Sequence, residues 1–433
     1  LLHLYPTPPP RTDRQRNQVP RNRDTGSSET HATVITPGPS VLHLASFVNG
    51  SPFKPADLGD EGLPVIRIRQ LLDREAPIEH AVPPVRPVII DRGDLIFAWS
   101  ATLAVRHWYG GRALLNQHLF RVDPFPGVER RWLGYVLAVG VEHLKPWMHG
   151  SAMTHITREM LKKITITVPP PSRQRAIANF LDTETSRIDT LITKKRRMTE
   201  LLEERRSATL TAAIFGGRTP HAGMTIWSST DTPDMWSAPS FSRVVQIAEG
   251  QVDPQEEPYK SMVLIAPNHI ESGTGVLLAM ETAEEQGAIS GKYLCNEGDV
   301  VYSKIRPSLR KVIVAPKQCL TSADMYPLRC SAAVVPRYLA YYLLSEPFSQ
   351  VAILESDRVA MPKINRDSLK ALRVLLPPRE QQAAIADRLD REFTSISRAN
   401  QAIRRQISRL LELRQALITG VVTGKSSARR EIV

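Results

Sequence analysis

Residues 169–181 read PPPSRQRAIANFL and residues 377–389 read PPREQQAAIADRL. The two stretches align without a gap at an offset of 208 residues. This pairs Pro169-Pro170 with Pro377-Pro378, Gln174 with Gln382, Ile177 with Ile385, and Leu181-Asp182 with Leu389-Asp390. The same offset matches ITREMLKKI (156–164) to INRDSLKAL (364–372) upstream. Downstream it matches Arg206, Thr211 and Gly216 to Arg414, Thr419 and Gly424. A register kept over such a span marks an internal duplication, which decides the architecture before any single motif does.

Each copy predicts one long helix, 172–216 and 379–424. Paired prolines suit the entry to a helix, where a missing N–H costs nothing. Beyond them, Ile177, Leu181, Ile188 and Leu202 form an apolar stripe, with Leu191, Met198 and Ala212 at the same recurring 4-3 spacing. The second copy carries Ile385, Leu389, Ile396, Ile403, Leu410 and Leu417, joined by Ala399 and Gly420. That spacing is the seam of a left-handed coiled coil. Glu184, Lys195 and Glu392 interrupt the seam and are candidates for fixing its register, while Gly216 and Gly424 sit where C-terminal caps belong. A helix this long cannot bury its own stripe, so the two copies are expected to pair antiparallel. The alternative is that each packs separately onto its own domain.

The segments before each helix have another texture. Short apolar or β-branched runs such as LPVIRI (63–68), DLIFAW (94–99), SMVLIA (261–266) and DVVYSKI (299–305) alternate with turn residues, as at Gly93-Asp94 and Gly298-Asp299. His118-Leu119-Phe120 aligns loosely with Asp324-Met325-Tyr326. The expected fold class is α+β: two mixed α/β domains, 41–171 and 236–378, separated by a pair of long antiparallel coiled-coil helices. Residues 1–40 read as a disordered or non-native leader, 217–235 as a linker and 425–433 as a tail.

A net charge of +12 and a pI near 9.7 point to an anionic partner, nucleic acid first. No apolar run approaches the ~20 residues a membrane span requires, and the N-terminus lacks the pattern of a secretory signal, so a cytoplasmic location without membrane association is expected. Cys295, Cys319 and Cys330 have no metal-binding or disulfide-framework spacing. No catalytic residue is assigned. The chain has no phosphate-binding G-x-x-x-x-G-K-[ST], no G-x-G-x-x-G between strand and helix, and no histidine spacing for a metal. Asp94 and Asp299 read as turn formers.

Base reading needs Arg, Lys, Asn, Gln or His where they can enter a groove. In the first domain Arg67, Arg69, Arg106, His107, Trp108, Arg112, Asn116, Gln117 and His118 form the richest set. Arg67 and Arg69 alternate along an apparent strand and should share a face. In the second domain Asn268, His269, Lys304, Arg306, Arg310 and Lys311 are comparable.

The doubled P-P-x-x-x-Q-x-x-I…L-D motif, each copy leading into a long helix that ends near glycine, resembles the specificity subunit of Type I restriction–modification systems. The resemblance covers about residues 41–424. The leader at 1–40 departs from the family's domain start, which DMWSAPSFSRVVQIA (234–248) fits better. Membership implies two target-recognition domains, each reading one half of a split double-stranded DNA target, with the helices setting the unread spacer. It also implies docking of two modification (methyltransferase) subunits and of restriction (translocase/endonuclease) subunits. S-adenosylmethionine, ATP and magnesium would belong to those partners, leaving this chain non-catalytic and without a bound cofactor. The competing reading is a coiled-coil scaffold whose heads bind protein or another ligand; a fused methyltransferase or nuclease would need clustered carboxylates or an Asn-Pro-Pro pocket.

Overall fold

The computed structural model describes residues 35–73, 75–84, 86–144, 155–215, 235–356 and 362–425. Most of the expected leader (1–34), the Gly216 cap, the body of the linker (217–234) and the tail from 426 lie outside the described residues. The chain divides into two compact units, one drawn from Leu1–Glu184 with Gln415–Val433 and the other from Thr185–Arg414. Each contains a head and parts of both long helices.

In the first unit the strands are β1 (Ala45–Asn49), β2 (Leu63–Ile66), β3 (His80–Ala81), β4 (Ile89–Ile90), β5 (Leu95–Ala98), β6 (Ala104–His107), β7 (Ala113–Leu115) and β8 (Leu119–Pro124). A short helix, α1 (Ile68–Leu72), follows β2, and α2 (Arg130–Leu144) and α3 (Arg158–Lys162) follow the last strand. One antiparallel sheet has the order β1-β8-β5-β6; the other, β3-β2-β7-β4, contains a parallel β2/β7 pair. The next element is α4 (Pro171–Ile214).

The second unit continues with α5 (Phe241–Val244) and eight strands: β9 (Val245–Ile247), β10 (Gln251–Val252), β11 (Leu264–Ile265), β12 (Lys292–Cys295), β13 (Val300–Ser303), β14 (Val312–Val314), β15 (Cys319–Thr321) and β16 (Met325–Cys330). Helices α6 (Pro336–Leu344), α7 (Glu346–Leu354) and α8 (Arg366–Ala371) precede α9 (Arg379–Val422). Its antiparallel sheet runs β9-β16-β13-β14, strand for strand the order of the first head. Its other sheet again pairs two strands in parallel, β11 with β15, beside an antiparallel neighbour. The two heads share a fold although their sequences barely align.

Local chemistry explains the pieces that do align. Gly93 and Gly298 take φ of +96° and +83°, which favours glycine, in the turns entering β5 and β13. The following Asp94 and Asp299 carboxylates each accept a backbone N–H three residues back, from Asp91 and Asn296, at 2.8 Å. Thr157 and Asn365, at the 208-residue offset, both cap a short helix by accepting the N–H of Met160 and Ser368. Ile156, Leu161, Ile364 and Leu369 beside them are buried.

The expected leader ends earlier than residue 40. Ile35 and Ser40 are buried, and the Val41 N–H donates to the Ile164 carbonyl at 2.9 Å. Phe241 makes the equivalent bond to Leu372 at 2.7 Å, so Val41 stands in the first head where Phe241 stands in the second.

The helices fall within two residues of their expected spans. Each has 44 residues, about 66 Å at 1.5 Å per residue. Within the second unit, Asp189 pairs with Arg414, Lys195 with Gln406, Glu203 with Asn400, and Arg205 with Glu392. As numbers rise along α4 they fall along α9: the pair is antiparallel. Within the first unit Ile177, Ala178 and Leu181 join Ile418, Val421 and Val422 in one apolar cluster with the head. Pairing and docking onto a head therefore occur together. Polar residues that interrupt the stripe, Lys195 and Glu392 among them, make the cross-helix bonds.

Of the expected core, Ile177, Leu181, Ile188, Leu389, Ile396 and Ile403 are buried, while Leu202, Ile385, Leu410 and Leu417 are half-buried. Leu191 and Met198, placed on the stripe by the recurring, imperfect 4-3 spacing, are 47% and 51% exposed. The buried positions instead run 177, 181, 185, 188 and 192. An α-helix turns every 3.6 residues and drifts from a seven-residue repeat, which moves burial from Leu191 to Ile192. Replacing Leu181 or Leu389 by alanine is expected to cost about 2–5 kcal/mol, against about 0.5 kcal/mol or less for Leu191→Ala. Equilibrium urea unfolding separates the two; equal costs would mean the buried face is misassigned.

Candidate nucleic-acid interface

The duplicated motif is an anchor. Gln174 is fully buried where α4 begins: its side-chain oxygen accepts the Glu129 N–H at 2.7 Å, and its amide donates to the carbonyls of Gly127 and Pro169. Gln382 repeats this at the start of α9, accepting the Val335 N–H at 2.8 Å and donating to Ala333 and Pro377. One turn of helix is thereby tied to the loop entering α2 or α6. The aspartate of each Leu-Asp pair finishes the clamp. Asp182 receives the Arg131 guanidinium at 2.9 Å and the Tyr135 hydroxyl at 2.7 Å; Asp390 receives Arg337 and Tyr341. Glutamine suits this post because a single side chain supplies both an acceptor and two donors.

The candidate DNA contacts divide by environment. Arg67 lies between β2 and α1 and forms an ion pair with Glu79 at 3.0 Å, whereas Arg69 lies in α1 and is exposed. The shared strand face expected for them does not exist, because the strand stops at Ile66 and the chain turns helical. Arg106 and Arg112 are exposed, at β6 and before β7. His107 faces α2, where Gly134 leaves it room: a Cβ on that glycine would come within 3.1 Å of His107 Nε2. Trp108 folds back, donating its indole N–H to Gly111, and Asn116 is buried with its side chain accepting the His118 N–H.

Gln117 and His118 lie at the open end of β8, with His118 exposed and its Nδ1 3.0 Å from the Ser100 hydroxyl. In the second head Asn268 and Arg306 are exposed and Lys304 is half-buried, its ammonium 5.5 Å above the Tyr326 ring. His269 is buried, with Nδ1 accepting the Ala266 N–H. Arg310 is held by Glu346 at 3.1 Å. Lys311 donates to the Pro267 carbonyl, and burial lowers its pKa.

Three groups escaped the sequence reading. Trp99 stacks on Phe120 at 5.7 Å beside His118, its indole N–H shared between Asn49 Oδ1 and the Gln117 carbonyl. Arg366 lies over the rings of Tyr326 and Tyr293, at 5.1 and 5.5 Å. Arg158, its partner at the 208-residue offset, lines a cavity of about 380 Å³ with Phe47, Phe120 and Phe125. The repeated Arg in ITREMLKKI and INRDSLKAL was the available signal. Asp94 and Asp299, beyond their turns, pair with Arg130 and Arg329. Among the described residues no cluster of His, Cys, Asp or Glu could hold a metal, and no helix is long and apolar enough to cross a membrane.

These features define a duplicated protein in which each of two alike heads is fixed to a long helix by a buried glutamine and presents a polar edge of its own. The family model for the Type I restriction modification DNA specificity domain matches residues 51–200 and 242–409, and the chain belongs to that family. It is 25% identical over 373 residues to the Type I restriction enzyme EcoDI specificity subunit of Escherichia coli, spanning 81% of this chain and 82% of that one. The EcoBI specificity subunit of Escherichia coli is 21% identical over 408 residues, 90% and 86% of the two chains. A solved structure described as the structural basis of complex assembly and conformational transition of the type I R-M system shares the fold. Its TM-score is 0.63 at 17% identity, covering 88% of this chain and 97% of that one.

Two predictions test the anchor and the half-buried His107 imidazole. Gln174→Leu strands the Glu129 N–H and two carbonyls, and is expected to destabilise the first unit by about 2 kcal/mol or more. Hydrogen exchange should quicken in the first turns of α4; unchanged protection would remove the anchoring role. Burial holds His107 below the ordinary imidazole range. The unfolded chain then binds a proton first as pH falls below about 6.5, so this contribution to stability is complete above that pH and declines below it. The loss of Tm between pH 7.5 and 5.5 should be smaller in His107→Gln than in the unaltered protein; an equal loss would acquit His107.

Proposed function

We propose that this chain supplies the DNA address of a Type I restriction–modification complex without catalysing a reaction itself. Each head reads one half of a split target, and the antiparallel helices set the spacer between the halves. The observation that carries the reading is one framework used twice with different side chains at its edge, in a chain of the DNA-specificity family. A duplicated scaffold with unlike edges suits two unlike half-targets. The positive charge supplies the sequence-independent attraction to phosphates, and the exposed Arg69, Arg112, His118, Asn268 and Arg306, with the half-buried Gln117, are suited to contact DNA. Two modification subunits would dock on the helices and bind S-adenosylmethionine; restriction subunits would bring ATP and magnesium, all in the cytoplasm.

Reconstitution with modification subunits, followed by mapping of methylated sites in a randomised DNA library, tests this. The expected product is a two-part target with a fixed spacer, and replacing 236–376 by the corresponding segment of a relative should change one half only. A continuous target, or a change in both halves, would contradict the proposal.

A further inference from the structure

The turn that follows the central strand is built alike in the two heads and furnished differently. In the first, the Trp99 N–H donates to the His118 carbonyl at 3.3 Å, and the Trp99 carbonyl accepts the Ile156 N–H at 2.7 Å. In the second, Lys304 makes the same two bonds, to the Asp324 carbonyl at 3.0 Å and from Ile364 at 2.9 Å. Two residues further on, Ala101 and Arg306 both take positive φ, +57° and +47°, where a side chain is disfavoured. Isolated bridges complete the match, Ser100 with His155 and Ile305 with Lys363. By these bonds and angles the two frames correspond: Trp99 to Lys304, Ala101 to Arg306, His118 to Asp324.

Beneath it the chemistry is kept. Phe120 and Tyr326 are both aromatic, packed under Trp99 in one head and under Lys304 in the other. On top the chemistry changes. The first turn offers the amides of Asn49 and Gln117 and the imidazole of His118; the second offers an ammonium, a guanidinium and a carboxylate. Fixed backbone and floor with exchanged donors and acceptors is what a reading position requires, because geometry must be common while hydrogen-bonding identity selects the base. A purely structural turn has no reason to keep a disfavoured backbone angle while replacing every polar group around it.

We propose that this turn is where each head reads bases, with Gln117 and His118 as reading side chains in the first head and Lys304 and Arg306 in the second. The proposal rests on the DNA-specificity reading above and deepens it. The amide and imidazole suit an adenine edge or other mixed donor–acceptor pattern, whereas the paired cations suit the N7 and O6 acceptors of guanine. The two halves are thus expected to differ in composition, the second being the one with guanine.

The test uses the full chain assembled with its modification subunits, with methylated sites mapped in the randomised library at several salt concentrations. The variants are the doubles Gln117→Ala/His118→Ala and Lys304→Ala/Arg306→Ala; Ala101 shows that alanine is tolerated at the angle Arg306 adopts. Each double should relax base preference in one half by about tenfold or more and leave the other half intact. Unchanged preferences in both halves would overturn the proposal. So would a uniform loss over all sequences with a shallower salt dependence, since that is the mark of phosphate contacts. Circular dichroism and co-purification with the modification subunits identify a double that fails to fold, in which case His118→Gln and Lys304→Gln are read by the same criteria. An unaltered protein that methylates a continuous target would defeat the functional reading itself, a result distinct from intact two-part recognition with unaffected variants.

Discussion

An amphipathic helix of 44 residues cannot cover its own apolar stripe, and most of this protein follows from how that cover is found. The ends of the helices take it from the heads: Ile177 and Leu181 enter one core, Leu389, Phe393 and Ile396 the other. Between them cover is thinner, and polar bonds such as Lys195 to Gln406 and Asn400 to Glu203 define the register. Those bonds are exposed or half-buried and contribute little to stability singly. Their value lies in excluding other registers, since a slipped pair would leave Glu203 and Asn400 without each other.

The glutamine anchor transmits that constraint to the heads. Gln174 and Gln382 sit where loop, head helix and long helix meet, and each holds three backbone groups through one buried amide. This explains why the duplication is strongest in this motif and weak in the heads. The anchor must be reproduced atom by atom, whereas a sheet accepts any apolar set of similar volume.

The same contrast sets what could be read from the sequence. The long helices, their spans and their antiparallel pairing were legible because periodicity and duplication act over tens of residues. Leu191 and Met198 were misplaced because a rigid seven-residue count ignores helical drift. The common fold of the heads was visible only in fragments: Gly93-Asp94 with Gly298-Asp299, and Phe120 with Tyr326. Strand pairing joins residues distant in the chain, so nothing local announces that β2 lies parallel to β7 as β11 does to β15. Among the candidate contacts, residue type alone could not separate His107 and His269, spent in packing, from His118 at an open strand end. Trp99 and Arg366 were missed because their setting arises from strands and turns brought together by the fold.

The central claim is that the helices act as a ruler between two readers. It is tested most directly by inserting seven residues into both helices at the facing positions Lys195 and Gln406, then determining the spacer of the methylated target. Seven residues add about 10 Å, which at about 3.4 Å per base pair should lengthen the spacer by about three base pairs while both half-targets stay as they were. An unchanged spacer in an active, assembled complex would contradict the account.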